Sequence, residues 1–204
     1  MIKIQKIHTG ILGTNTYVVQ SGDTCIVIDP ADCSPELSGY LESTVPPSAI
    51  LLTHGHFDHI GGAGILSEKY GAPIYVHLSD EEMLGDGVKN ASFPLLYRSI
   101  TVSGGCVKAI SESEFFIKDL KIKAYHTPGH SEGSLSYLID GHLFSGDLVF
   151  EGGSYGRTDL HGGSCQKLIS SIRSLASLPH DTAVHPGHAG DGFTLSEYFQ
   201  YFGK

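Results

Sequence analysis

Residues 53–62 read THGHFDHIGG, and no other stretch restricts the architecture of the chain as tightly. Three imidazoles and a carboxylate fall between positions 54 and 59, directly after the apolar run 49–52. Zinc and related divalent cations favour imidazole nitrogen and accept carboxylate oxygen, so a His-Asp cluster on immobile backbone can supply a whole coordination sphere. A short apolar run bounded by turn signals reads as a buried strand, and the cluster then sits at its carboxyl end, where open α/β sheets present their ligands. The segment is therefore expected as a loop. His54 and His56, two apart on extended chain, face the same side, while Asp58 and His59 follow after the chain has turned toward a helix. One pair can serve each of two ions.

The same arrangement recurs downstream. His130 in TPGH, Asp147 in SGD and His188 in PGH each stand just after a strand-like run, tens of residues apart, as ligands gathered from several loops should. Strands are expected at IKIQKI, NTYVVQ and TCIVIDP, the last two joined through Ser21-Gly22-Asp23. A helix follows, capped by Ser34, with Pro35 in its first turn and Leu37, Tyr40 and Leu41 along one face. Ala63, Leu66 and Tyr70 recur at helical spacing until Gly71, PIYVH resumes a strand, and Ser79 to Glu82 spells a capping box opening a short helix. Residues 85–105 read as a long surface excursion able to overhang a site. Strands return at KIKAYHT, SLSYLID and HLFSGD, with Asp140-Gly141 as a two-residue turn. A helix carrying Leu168, Ile169, Ile172, Leu175 and Ala176 and a strand in TAVHPGH complete the order. It points to one domain over residues 1–204, with two sheets face to face and helices on their outer surfaces.

Composition removes several function classes. The net charge is −9 and no Lys/Arg cluster occurs, which argues against a nucleic-acid partner. The opening MIKIQKIHTGILGTNTYVVQ mixes Lys, Gln, His and Asn among its apolar residues, giving neither a signal-peptide core nor a membrane span, so a cytoplasmic location is expected. Cysteines at 25, 33, 106 and 165 form no Cys-x-x-Cys pair and are expected as reduced, mostly buried thiols. Of the twelve histidines, His8, His77, His126, His142, His161, His180 and His185 read as structural or solvated.

These residues together resemble the metallo-β-lactamase superfamily. THGHFDH matches its His-x-His-x-Asp-His motif, and TPGH, SGD and PGH stand in the expected order over nearly the whole chain. The resemblance implies a four-layer αββα sandwich, two mixed β-sheets flanked by helices, with a dinuclear centre. One ion would take His54, His56 and His130, the other Asp58, His59 and His188, with Asp147 bridging. Asp29, in IDPA, occupies the family's early aspartate position and is expected to support the ligands. The implied cofactors are two divalent ions, zinc first, with iron and manganese as alternatives.

Within that superfamily the chain is most similar to short glyoxalase II-like (hydroxyacylglutathione hydrolase-like) thioesterases, through GGSYGRTDLHGG at residues 152–163. Lactamases of the best-known dinuclear type place cysteine where Asp147 stands, so the resemblance disfavours antibiotic hydrolysis. Di-iron flavoproteins carry Glu at position 56 and append a flavin domain, and RNA-processing members need further domains and basic surface. The likeness implies hydrolysis of S-acylglutathione-type thioesters such as S-lactoylglutathione by a metal-bridging hydroxide, with Asp147 setting the ion separation and Asp58 orienting the nucleophile. Persulfide dioxygenases share a Gly-Arg-Thr-Asp segment and use a single iron, but favour an acidic residue followed by Tyr where Ala189 stands; they are the second reading. A non-catalytic metal-binding protein is the third. Longer glyoxalase II enzymes add a C-terminal domain that supplies most glutathione contacts, which leaves the thiol half of the substrate open. Tyr155 is a candidate pocket residue, and Arg157 and Asp159 are either a structural ion pair or substrate contacts. The Phe93 to Tyr97 stretch reads as core, with closure over the site as the alternative.

Overall fold

The computed structural model describes residues 2–203. Its first sheet contains β1 (Lys3–Thr9), β2 (Thr14–Ser21), β3 (Thr24–Ile28), β4 (Ala49–Leu51), β5 (Ile74–His77) and β6 (Val107–Ile110), paired in that order. The first three strands run antiparallel and the next three parallel, because helices α1 (Pro35–Glu42), α2 (Phe57–Ile60) and α3 (Ala63–Tyr70) form the crossovers into β4 and β5, and the segment carrying α4 (Ser92–Leu96) forms the one into β6. The β2–β3 turn closes between Ser21 and Thr24 with Gly22 at φ +56°, a left-handed angle that glycine adopts without a Cβ penalty. Ser34 caps α1 by accepting from the Leu37 backbone N–H, and Pro35 opens it, as the sequence predicts.

The second sheet contains β7 (Ser113–Ile117), β8 (Leu120–His126), β9 (Leu135–Ile139) and β10 (His142–Gly146). A small hairpin, β11 (Val149–Phe150) and β12 (Ser154–Tyr155), stands apart before β13 (Ala183–Pro186) and β14 (Phe193–Thr194) complete that sheet in the order β14-β13-β10-β9-β8-β7. Only β10 and β13 are parallel there, since α5 (Cys165–Ser174) carries the chain between them. Both sheets are mixed, and both carry helices on their outer faces.

Side-chain alternation explains the layers. Tyr17, Val19, Ile26 and Ile28 face Ile122, Ala124, Tyr137, Ile139 and Phe144 of the opposite sheet. The intervening Val18 and Val27 face outward onto Leu37, Leu41, Ile60 and Leu66 of the helices. The outer face of the second sheet packs Leu143 and Val184 against Leu168 and Ile172 of α5 and against Leu195 and Tyr198 of α6 (Leu195–Tyr201).

Several expectations change. The Ser79 to Glu82 capping box does not form: a 3-10 turn starts at Glu81, its cap residue is Asp80, and the Asp80 carboxylate is engaged elsewhere. Strands β6 and β7 and helix α6 had no counterpart in the sequence reading, although Thr194 and Glu197 make a reciprocal capping box at the start of α6. Cys25 is buried and Cys33 half-buried, whereas Cys106 and Cys165 are exposed; all four are free thiols. Among the described residues no helix is long and apolar enough to cross a membrane.

Candidate metal centre

The site is assembled from strand ends. Asp29 follows β3, Thr53 to Asp58 follow β4, Asp147 follows β10 and His188 follows β13, while His130 lies in the turn between β8 and β9. The expected loop at 54–59 is loop only through His56. Phe57–Ile60 is one helical turn, which points Asp58 and His59 back toward the cleft between the sheets.

Three overlapping groups of ligand-type atoms converge there: His54, His56 and His130; His54, His59 and Asp147; Asp58, His59 and His188. Within each group the atoms lie within 4.8 Å of one another. His56 Nδ1 is 2.8 Å from His130 Nε2, and His59 Nε2 is 3.2 Å from His188 Nε2. Asp147 sits between the two sets, with Oδ1 3.5 Å from His59 Nε2 and Oδ2 3.5 Å from His130 Nε2 and 3.6 Å from His188 Nε2. Asp58 Oδ2 is 3.1 Å from His188 Nε2.

Outer hydrogen bonds fix which nitrogen His54, His59 and His130 offer. Asp29 Oδ1 accepts from the Thr53 backbone N–H at 2.7 Å, and its Oδ2 accepts from the Thr53 hydroxyl at 2.6 Å and from His59 Nδ1 at 2.9 Å. The Thr53 hydroxyl, its proton committed to Asp29, can only accept from His54 Nδ1 at 3.0 Å. One carboxylate thus presents Nε2 of both His54 and His59, and it does so from a backbone held at φ +50°. His130 Nδ1 donates to the Arg157 carbonyl at 2.8 Å, which likewise presents its Nε2.

The donor set fits cations. His54 Nε2 and Asp147 Oδ1 are buried without a hydrogen-bond partner, an arrangement costly for polar atoms unless something else satisfies them. Burial, reinforced by the neighbouring imidazoles, holds His54 and His56 well below the usual histidine range, so both are neutral and keep a lone pair. Burial opposes charge on His59, yet Asp147, Asp29 and Asp58 outweigh it and raise that imidazole to about 10. Burial opposes ionisation of Asp58, but His59 and His188 prevail and keep it below the usual carboxylate range. The three carboxylates create a demand for positive charge at one buried point.

Two supports had no warning in the sequence reading. Asp80, fully buried after β5, accepts from the Gly55 N–H at 2.9 Å and the Ser131 hydroxyl at 2.6 Å through Oδ2, and from the Gly133 N–H at 2.7 Å through Oδ1. It therefore ties the loop of His54 and His56 to the loop of His130. Asn15 on β2 donates its side-chain N–H groups to the Pro186 and Ala189 carbonyls, both at 3.0 Å, clasping the loop of His188. For Asp80 the available signal was an acid just past a strand; for Asn15 there was none.

The remaining candidates separate. Arg157 lines the cavity beside the ligands, and its guanidinium donates twice to Asp159 at 2.7 and 2.8 Å in an exposed pair. That pairing holds Asp159 down to about 2. Tyr155 does not line the cavity; it is exposed and packs edge-on against Phe202. Phe93, Leu95 and Tyr97 are exposed rather than core, and Leu95 joins the cavity wall.

Comparison with known proteins agrees with this geometry. The chain is 36% identical over 203 residues to the protein named "Probable metallo-hydrolase YqgX" of Bacillus subtilis, covering 98% of this chain and 96% of that one. It is 32% identical over 174 residues to the hydroxyacylglutathione hydrolase of Nitrosomonas eutropha, covering 84% of this chain and 59% of that one. The solved structure of BLEG-1 B3 metallo-beta-lactamase superposes with a TM-score of 0.92 at 35% identity over 100% of this chain and 98% of that one. TTHA1623 in a di-iron-bound form gives 0.86 at 34% identity, with 98% of each chain covered. The metallo-beta-lactamase superfamily profile matches residues 9–188, which takes in every candidate ligand, and the chain belongs to that superfamily.

Proposed function

We propose that this chain is a metal-dependent thioesterase of the glyoxalase II kind, holding two divalent cations between its two ligand sets. The observation that carries the reading is the convergence of three overlapping ligand groups around Asp147. His54, His56 and His130 would hold one cation, Asp58, His59 and His188 the other, with Asp147 shared. Such ions, when bound, supply a water acidic enough to ionise near neutral pH and positive charge for a developing oxyanion. Asp58, ionised and only partly buried, offers a carboxylate oxygen to orient that water. Asp29 holds His54 and His59 in the tautomers that keep Nε2 free, and burial of both imidazoles limits competing water. A thiolate leaves with little need for protonation, so the scheme asks for no separate general acid.

The likeness to a hydroxyacylglutathione hydrolase supports a thioester substrate, with S-lactoylglutathione as the reference compound. The di-iron form of TTHA1623 supports a two-metal centre and leaves iron, zinc and manganese all as candidates. A second reading, β-lactam hydrolysis, draws on the likeness to BLEG-1, since a cysteine in place of Asp147 marks only one type of dinuclear lactamase. Metal analysis of the purified protein, followed by a thioester, lactone, phosphodiester, persulfide and β-lactam panel on the same preparation, separates these readings and the dioxygenase. Thioester turnover that falls together with metal content in Asp147→Ala is the expected result. A metal-replete protein that cleaves no thioester faster than this variant would overturn the proposal.

A further inference from the structure

The cavity over the candidate ligands is small and one-sided. It measures about 180 Å³, below the roughly 300–1,000 Å³ of sites that bury a whole drug-sized ligand. Five apolar side chains from four separate segments form its wall: Leu12, Phe57, Ala91, Leu95 and Leu160. Every other lining residue is a candidate ligand except Arg157, whose guanidinium is already engaged twice by Asp159. The free carboxylates of a glutathione moiety therefore find no unpaired cation on this wall.

The wall is also held in place. Leu12 and Leu95 are 53% and 48% exposed, so each keeps apolar surface that a ligand could cover. Leu95 belongs to α4 (Ser92–Leu96), which is flanked by Ala91 at φ +68° and Tyr97 at φ +54°. The buried Asn90 side chain donates to the Met83 and Ile100 carbonyls and accepts from the Ser92 hydroxyl, which itself accepts from the Ile100 N–H. The Asn90 carbonyl accepts from the Phe57 N–H at 3.1 Å, at the start of the turn that carries Asp58 and His59. The excursion over residues 85–105 is thus registered directly against the ligand helix.

We propose that this wall is an acyl subsite selecting uncharged apolar acyl groups, with the thiol carrier lying outside it. The inference rests on the thioesterase reading. Thioesters of glutathione and of N-acetylcysteamine carrying acetyl, lactoyl, butyryl and hexanoyl groups test it on the metal-loaded protein. Butyryl is expected to exceed acetyl and lactoyl in kcat/KM by about tenfold or more, the scale at which apolar pockets discriminate methylenes, on either thiol. Leu95→Ser should collapse that ratio. Titration of the same metal-loaded protein with acetate, lactate, butyrate and hexanoate reads the wall without turnover, and affinity should rise with chain length in the wild type and flatten in Leu95→Ser. If no thioester is cleaved while the acid series still rises, the thioesterase reading fails and the subsite stands. A flat acid series, a lactoyl preference, or a ratio untouched by Leu95→Ser overturns the subsite.

Discussion

The hydrogen bonds of Asp80 go to no candidate ligand side chain: it receives a backbone N–H from between His54 and His56 and the hydroxyl of the residue after His130. Burial pushes its carboxyl above the usual range, and the Ser131, Gly55 and Gly133 donors pull it back. An amide in its place would set an N–H against at least one of those donors, leaving a buried group unsatisfied at a cost of about 1–3 kcal/mol. Asp80→Asn should therefore melt lower and bind metal about 10–100-fold more weakly, as loss of supporting hydrogen bonds does elsewhere. A metal titration giving wild-type affinity in a folded variant would reduce Asp80 to a simple buttress. Gly187 acts by absence: a Cβ there would stand 2.3 Å from Asp147 Oδ1 and 2.9 Å from His59 Cε1. Gly187→Ala must displace the shared carboxylate, and metal analysis should show substoichiometric loading while the sheets remain folded.

At the scale of elements, β10 and β13 are joined by a histidine pair as well as by their parallel ladder. His142 Nδ1 lies 2.9 Å from His185 Nε2. Burial, with His142 and Lys6 adding to it, lowers His185 from 6.5 to about 4. Between those two values the unfolded chain binds a proton that the folded chain refuses, so stability is full above pH 6.5 and is lost as pH falls toward 4. His185→Gln should flatten the slope of unfolding free energy against pH in that window by about one proton. It should not abolish the slope, because burial and His126 lower His77 to about 4 as well. Urea denaturation at pH 4, 5, 6 and 7 gives the comparison; an unchanged slope would mean that His185 does not carry this dependence. The elements that were legible beforehand, α1 with its Ser34 cap and the turns at Gly22 and Gly141, depend on neighbours within a few residues. Strands β6 and β7 are half-buried edge segments with polar residues among the apolar ones, so they lack the clean alternation that betrays a strand.

For the molecule as a whole, the candidate ligands span both sheets: His54, His56, Asp58 and His59 follow β4 of the first, while His130, Asp147 and His188 come from turns of the second. Cations bound between them would bind the folded state alone. At a free metal concentration 100 times Kd, the linkage is worth roughly 2.7 kcal/mol, about 5–10 °C in Tm for a chain of this size. Chelation should remove that increment and metal return should restore it; a Tm indifferent to both would count against a centre that staples the sheets. By itself the sequence determined the ligand chemistry, the strand-end placement of the ligands and the helix and hairpin signals, because these are set by residue type and by neighbours a few positions away. Tertiary structure alone decided that Asp80 and Asn15 hold the ligand loops, that Tyr155 turns away toward Phe202, and that Leu12 and Leu95 line one cavity with the ligands. Residues tens of positions apart come together only through the packing and register of two sheets, and spacing along a chain carries no record of that packing.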